Sequence, residues 1–508
     1  MQFTTIDLIS FVAFIAAVIG ISLYASRKQD TSEDYFLAGR KLTWWLIGFS
    51  LIASNISTEH FVGMAGRGYE LGLAIASYEW MAAVTLVFVA LVLLPKFLKS
   101  GIYTIPEYLE YRYSSKTRTM MAIFMMVAYI LVALASVLYS GALALNSIFG
   151  IGLVPGIWLI GLIAGVYTVY GGLKAVVWSD LIQGIALMLG GVFVTILAFK
   201  AIGGIDVFLA QSADKLHTVL PWNHGEMPWV AVFIGGLWIP NIFYWGLNQF
   251  ITQRTLGAKS LAEGQRGIIF AAFLKLIIPF IIVFPGIIAF QLYGAQVPQA
   301  DQAYPFLIQK LLPIGFRGIM FSALFGAVLS SLDSMLNSAS TIFTIDLYKK
   351  YFKKEVDNHK LVTIGRIMTG VFVVVGCLWA PIITKFGSVY VYIQKIWGFI
   401  SPGIVAAFLF GMVVKKAPPM AAIGAMILGI PVYGLCLVIM PDVAFLHHMF
   451  ITFIILIVYM AIVTWLKPLT EPRTMPVNTN LDLRSLPSVK LWGALVVIAT
   501  AVLYIIFW

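Results

Sequence analysis

Apolar residues in this chain come in long runs of about 20 or more positions, separated by short polar or Gly/Pro clusters. A helix of ~20 residues crosses a ~30 Å hydrocarbon layer. The pattern predicts fourteen helices, near residues 5–26, 44–65, 71–97, 118–148, 151–171, 174–203 and 228–250, then 264–293, 313–346, 360–384, 386–413, 418–440, 446–467 and 488–508. The first run has no Lys or Arg before it and is too long for a signal-peptide core, so it reads as a retained helix. The longest connection, about 201–227, is too short for a folded soluble domain. The chain, 1–508, therefore reads as one all-α, polytopic integral membrane unit.

Composition agrees: 61% of the residues are hydrophobic and 11% charged, against about 45–50% and about 25% in soluble domains. This excludes an ordinary soluble enzyme. The net charge of +11 is explained by its placement. One set of loops carries most of the basic residues, among them Arg27, Lys28, Arg40, Lys96, Arg112, Arg118, Lys174, Arg254, Lys259, Lys349, Lys350, Lys415 and Lys416, while the alternate set holds only Arg67, Lys200, Lys215, Lys310, Arg317 and Lys385. The positive-inside rule makes the first set cytoplasmic and puts both termini outside. The basic excess is thus a topology signal, the partner it implies is the lipid bilayer, and no basic run interleaved with aromatics points to nucleic acid. Cys377 and Cys436 lie in apolar runs and make no disulfide framework. No GxxxxGK[ST] loop is present, and the six His are scattered, so neither ATP hydrolysis nor a metalloenzyme is indicated. The only N-x-[ST] sequence, Asn55-Ile56-Ser57, falls inside a helix. With the short loops, this favours a bacterial inner membrane.

The informative residues are the polar ones at membrane depth, where ionisable groups are costly and mark substrate or ion paths. The second span contains LIASNISTEHF, too polar for a continuous lipid-facing helix; Glu79 lies in the third. The seventh reads GGLWIPNIFYWGLNQ, with Gly235, Gly236 and Pro240 interrupting it. Lys275 lies in FAAFLKLIIPF, Ser330, Ser331, Asp333, Ser334 and Asn337 in VLSSLDSMLNSAS, and Gln394 in VYIQKIW. Such hydroxyls also bond back to carbonyls, and amides also join helices. The spacing weighs towards function, because interruptions five helices apart are the sign of an inverted repeat of five plus five helices with two broken spans. Freed carbonyls and hydroxyls suit a hard cation, and uncharged amides suit a neutral, polyhydroxylated substrate.

The same residues carry a resemblance. EDYFLAGRKLTWW, LIASNIS, GLAIASYEWM, KSGIYTIPEYLE, YGGLKAVVWSDLIQ, GGLWIPNIFYWGLNQFITQR, FAAFLKLIIP and SSLDSMLNSASTIFTIDLYKK are similar to the sodium/solute symporter family, near its bacterial sodium/galactose and animal sodium/glucose branches. The resemblance implies a LeuT-type core, with repeat 1 at 44–203 and repeat 2 at 228–413, one helix before it (5–26) and three after (418–508). It implies a sugar site of Asn55, His60, Glu79, Asn241, Lys275 and Gln394, with Tyr244 as aromatic platform and inner gate and Trp245 beside it. Met64, Tyr78 and Tyr390 would form the outer lid. It further implies one Na+ held by the carbonyls of Ala53, Ile56 and Ala327 and the hydroxyls of Ser330 and Ser331, with Asp180 on the inward exit. Asp180, Asp333 and Ser334 would form a second cation or proton site. His60, Ala82 and Tyr390 depart from the bacterial sugar site, so glucose and galactose both remain open. Asp333 matches the animal myo-inositol branch, which makes inositol or another polyol the second candidate substrate. The expected function is sodium-coupled hexose import without covalent chemistry. A transport-inactive sugar sensor and an ion channel are the readings of a different class.

Overall fold

The computed structural model describes residues 4–25, 31–57, 59–352, 357–386 and 389–508. Among them, twelve helices are long and apolar enough to cross a membrane, from Thr5–Ala25 to Pro487–Ile506. The two further segments of the fourteen are present in shorter form. One is the apolar helix Leu153–Val166, which continues towards a kink at Gly172 (φ 51°, ψ −158°), a conformation open to glycine, before the next span, Gly172–Ile202. The other is the interrupted second span.

In that second span a helix runs Trp44–Asn55 and stops because Ile56 turns extended (φ −75°, ψ 104°). The chain resumes as a π-turn, Glu59–Met64, and a helix, Ala65–Leu71. Thr58 and the Glu59 side chain lie outside the described residues. The seventh span breaks in the same manner. Trp238–Ile242 widens into a π-turn at Phe243–Leu247, leaves the helix at Asn248 (φ −85°, ψ 119°), and restarts as Gln249–Leu256. Each break leaves amides and carbonyls without regular helical partners at the depth where lipid offers none. Irregular backbone at such a depth persists only where protein or a hydrophilic cavity surrounds it.

Burial ranks the spans. The ninth span, Phe316–Phe352, is 94% buried over its most apolar window, against 17% for Thr5–Ala25. The ninth is therefore a central element and the first a peripheral one. The first span packs on the ninth and on the kinked helix Leu153–Ile202 that carries the fifth and sixth. It also caps the ninth: the Asp7 carboxylate accepts from the amides of Gly315 (2.8 Å) and Gly318 (3.2 Å), satisfying donors that a helix start leaves free. The first half of the second span lies against the sixth span and the eighth, Leu261–Tyr293. The approach to the sixth depends on Gly184, where an added Cβ would stand 2.8 Å from the Ala53 Cβ. Helices Pro419–Ile439 and Phe445–Leu466 gather on the eleventh span, Val389–Val413, beside the central helices.

Candidate functional site

Where the second, third, seventh and eighth spans meet, polar side chains converge. Lys275, completely buried, donates from Nζ to the Glu79 carboxylate and to Asn55 Oδ1. Asn55 Nδ2 in turn donates to the Tyr244 hydroxyl at 3.2 Å. His60 Nε2 lies 3.4 Å from Glu79 Oε1. The Lys275 ammonium also stands 4.9 Å from the centre of the Trp245 ring, which packs edge-on against Tyr244. Asn241 comes one turn before Tyr244, and its buried amide nitrogen has no partner among the described residues. Met64 and Tyr78 are half-buried at the edge of the same region. The side chains of Tyr390 and Gln394 lie outside the described residues. Six of the eight residues expected to bind substrate are thus in mutual contact and a seventh, Asn241, lies one turn away; together they combine acceptors, donors and an aromatic face.

A second polar group sits between the second, sixth and ninth spans. The Ser330 hydroxyl is 3.4 Å from the Ala53 carbonyl and donates to the Asp180 carboxylate. Ser331 Oγ is buried with no partner among the described residues, an expensive arrangement unless something else coordinates it. Ser331 follows Ser330, whose hydroxyl meets the Ala53 carbonyl in the last turn before the helix ends at Asn55. A hydroxyl pair, one against a helix-end carbonyl and one without a partner among the described residues, fits a sodium ion, which takes oxygen ligands and needs no titrating group.

Sequence reasoning missed the group that governs Asp180. The sequence places Arg254 among the loop charges, yet only 1% of it is exposed. Its guanidinium donates from Nη2 to Asp180 Oδ2 at 2.9 Å and to the Ser334 hydroxyl. Ser50 (2.5 Å) and Ser54 (3.0 Å) donate to the same carboxylate oxygen. Asp333 accepts from Ser179 at 3.1 Å and from Ser334 at 3.3 Å. The three residues expected to form a second cation site are therefore adjacent, with a guanidinium already between two of them. The one sequence signal is proximity: Arg254 stands six residues after the break at Asn248.

At the end of the molecule away from the basic loops, Arg67 bridges Glu70 (2.6 Å) and Glu226, and Lys215 Nζ donates to the carbonyls of Tyr69 (3.0 Å) and Glu70 (2.8 Å). These contacts tie the outer half of the second span to the connection before the seventh. Nearby, burial pushes the Asp301 carboxyl up, Glu70 adds to the rise and Arg67 opposes it.

Residues 35–429 match the sodium:solute symporter family. The chain belongs to that family. It is 44% identical to a sodium/glucose cotransporter of Vibrio parahaemolyticus over 540 aligned positions, covering 99% of this chain and 98% of that protein. It is 31% identical to sodium/glucose cotransporter 1 of Ovis aries, covering 92% and 79%. Its structure superposes on a substrate-bound, outward-open Na+-coupled sialic acid symporter with a TM-score of 0.85 at 26% identity, over 94% of this chain and all of that one. The fold is accordingly the LeuT-type repeat of five plus five helices, the protein is a multi-pass membrane transporter and not an enzyme, and Na+ is its coupling ion.

Proposed function

We propose that this symporter imports a hexose, glucose or galactose, by sodium-driven alternating access. The observation that carries the reading is the buried Lys275–Glu79–Asn55–Tyr244 chain at the two broken spans. It supplies donors, acceptors and a ring face without leaving a net charge for the substrate to neutralise, which suits a neutral polyol better than an acid. The 44% identity to a sodium/glucose cotransporter supports glucose before inositol, for which a sodium/myo-inositol cotransporter 2 of Sus scrofa at 32% identity and Asp333 speak. Gln394, Met64, Tyr78 and Tyr390 complete the site and its lid in this reading, and the orientation has both termini outside, in a bacterial inner membrane.

Sodium binds to the carbonyls of Ala53, Ile56 and Ala327 and the hydroxyls of Ser330 and Ser331, and so joins the second span to the ninth. That junction stabilises the form that accepts sugar, a coupling typically worth about 1–3 kcal/mol. Sugar binding closes the lid, rocking exposes the site to the basic-loop end, and sodium leaves past Asp180. Asp180, Asp333 and Ser334 take a second cation only when Arg254 withdraws.

The sodium assignment has a direct test. Ser331→Ala removes a hydroxyl that no described group uses, so stability should be unchanged or improved. The half-saturating Na+ concentration for uptake should rise about tenfold, by loss of one hydrogen-bond-strength ligand, while sugar affinity at saturating Na+ holds. An unchanged sodium requirement would exclude Ser331 from the site.

A further inference from the structure

The break in the seventh span has a splint that the transport reading does not use. Tyr129 sits on the fourth span, Ser115–Leu143, as the second residue of a π-turn at Ala128–Leu134. π-turns inside α-helices recur at functional positions because the extra residue re-aims a side chain. Here the fully buried Tyr129 hydroxyl donates to Asn248 Oδ1 and accepts from the Gln249 amide at 2.8 Å. It thereby occupies both sides of the point where the helical ladder is interrupted. The Gln249 side chain is engaged too: its Oε1 accepts from the Ile105 amide at 2.8 Å and its Nε2 donates to the Tyr103 carbonyl at 3.2 Å. Gln249 imitates a strand partner for the 103–105 backbone.

That backbone belongs to a hub at the basic-loop end. Thr104 donates to Asp346 at the end of the ninth span (2.8 Å). Arg112 holds the carbonyls of Gly411 (2.6 Å) and Val414 (2.5 Å) at the end of the eleventh. Gln249 therefore fastens the inner half of the seventh span, Gln249–Leu256, to a segment that also holds the inner ends of the ninth and eleventh. Above the fastening, Phe250 packs edge-on against both Tyr129 (5.7 Å between centroids) and Tyr244 (5.6 Å).

We propose that Tyr129 and Gln249 are positioning residues forming an inner latch, whose release from the 103–105 backbone precedes movement of the inner half of the seventh span and passage of solute beneath Tyr244. The latch rests on the symport reading. It touches neither the substrate group nor the sodium group, and its hydrogen bonds exist only while the inner half of the seventh span is docked. Weakening it shifts the population towards the undocked form and leaves binding at saturating sodium alone, since a change that acts on one conformation moves only the equilibrium between them.

The test uses the purified full-length protein carrying Thr255→Cys, a reporter buried on the last turn of the inner half-helix. Reaction with a hydrophilic maleimide is timed in the absence of Na+. Adding Tyr129→Phe should speed labelling about tenfold, the scale of one buried amide losing its partner, and should raise the sodium needed for half-maximal uptake by a similar factor. The hexose Kd at saturating Na+ should stay within about twofold. Gln249→Glu, which keeps the acceptor for Ile105 but loses the donor to Tyr103, should act in the same direction and serves if Tyr129→Phe does not fold. Lower yield with unchanged labelling per folded molecule would overturn the latch in favour of a structural role. Unchanged labelling and sodium requirement in both variants would also overturn it. Labelling needs no knowledge of the solute, so a wild type that carries no hexose would refute the proposed substrate while leaving the latch to its own result.

Discussion

Lys275→Ala is expected to lower sodium-driven hexose uptake by roughly two orders of magnitude or more. The ammonium is completely enclosed and donates to both Glu79 and Asn55. Truncating one partner of a buried ion pair costs about 3–5 kcal/mol, because the other charge is left without compensation in a medium that cannot solvate it. Two consequences follow together: Glu79 becomes a stranded carboxylate, and Asn55 is released from one of the two contacts that hold it under the Tyr244 hydroxyl. Loss of transport through misfolding and loss through the site are separable. Lys275→Met combined with Glu79→Gln removes both charges, so the folded yield and thermal midpoint should recover while uptake stays low. Recovery of uptake in the double variant would show that the pair supports the fold alone.

The second large effect concerns Arg254. Its guanidinium is the positive group shown pairing with the buried Asp180, which otherwise accepts hydroxyls from Ser50, Ser54 and Ser330. Arg254→Met should reduce turnover about a hundredfold, on the scale of a broken buried pair. The direction of the sodium effect distinguishes this site from an ordinary structural pair. Without the guanidinium, a transported cation is the nearest remedy for the Asp180 charge, so sodium is held more tightly and leaves more slowly. The half-saturating Na+ concentration should therefore fall as the maximal rate falls. Steady-state uptake against external Na+ measures both quantities, and a sodium requirement that rises in Arg254→Met would refute the exchange between guanidinium and cation.

The spans, their order and the two breaks were legible in the sequence because lipid imposes one requirement on every long segment, and the exceptions to it are conspicuous. Asn55, Glu79 and Lys275 were each visible as polar residues without a reason to be in lipid, and the fold unites them. Arg254 was hidden by the same logic: a basic residue shortly after a span reads as a loop charge. Only the restart of the seventh span as Gln249–Leu256 carries it back inside. Tyr129 was less accessible still. An aromatic residue in an apolar run looks like packing, and its role lies in a hydroxyl whose partners are 119 and 120 residues away. Long-range hydrogen bonds at an irregular backbone position leave no periodic trace in a single sequence.

The most direct test of the central claim is hexose accumulation in vesicles reconstituted with the purified chain, with Na+ outside and K+ inside, using labelled glucose and galactose alongside myo-inositol and sialic acid. We expect glucose or galactose to rise above its external concentration, to fall back when the Na+ gradient is collapsed, and to exceed inositol and sialic acid. Hexose that only equilibrates, accumulates without a sodium gradient, or is outpaced by either competitor would contradict the account.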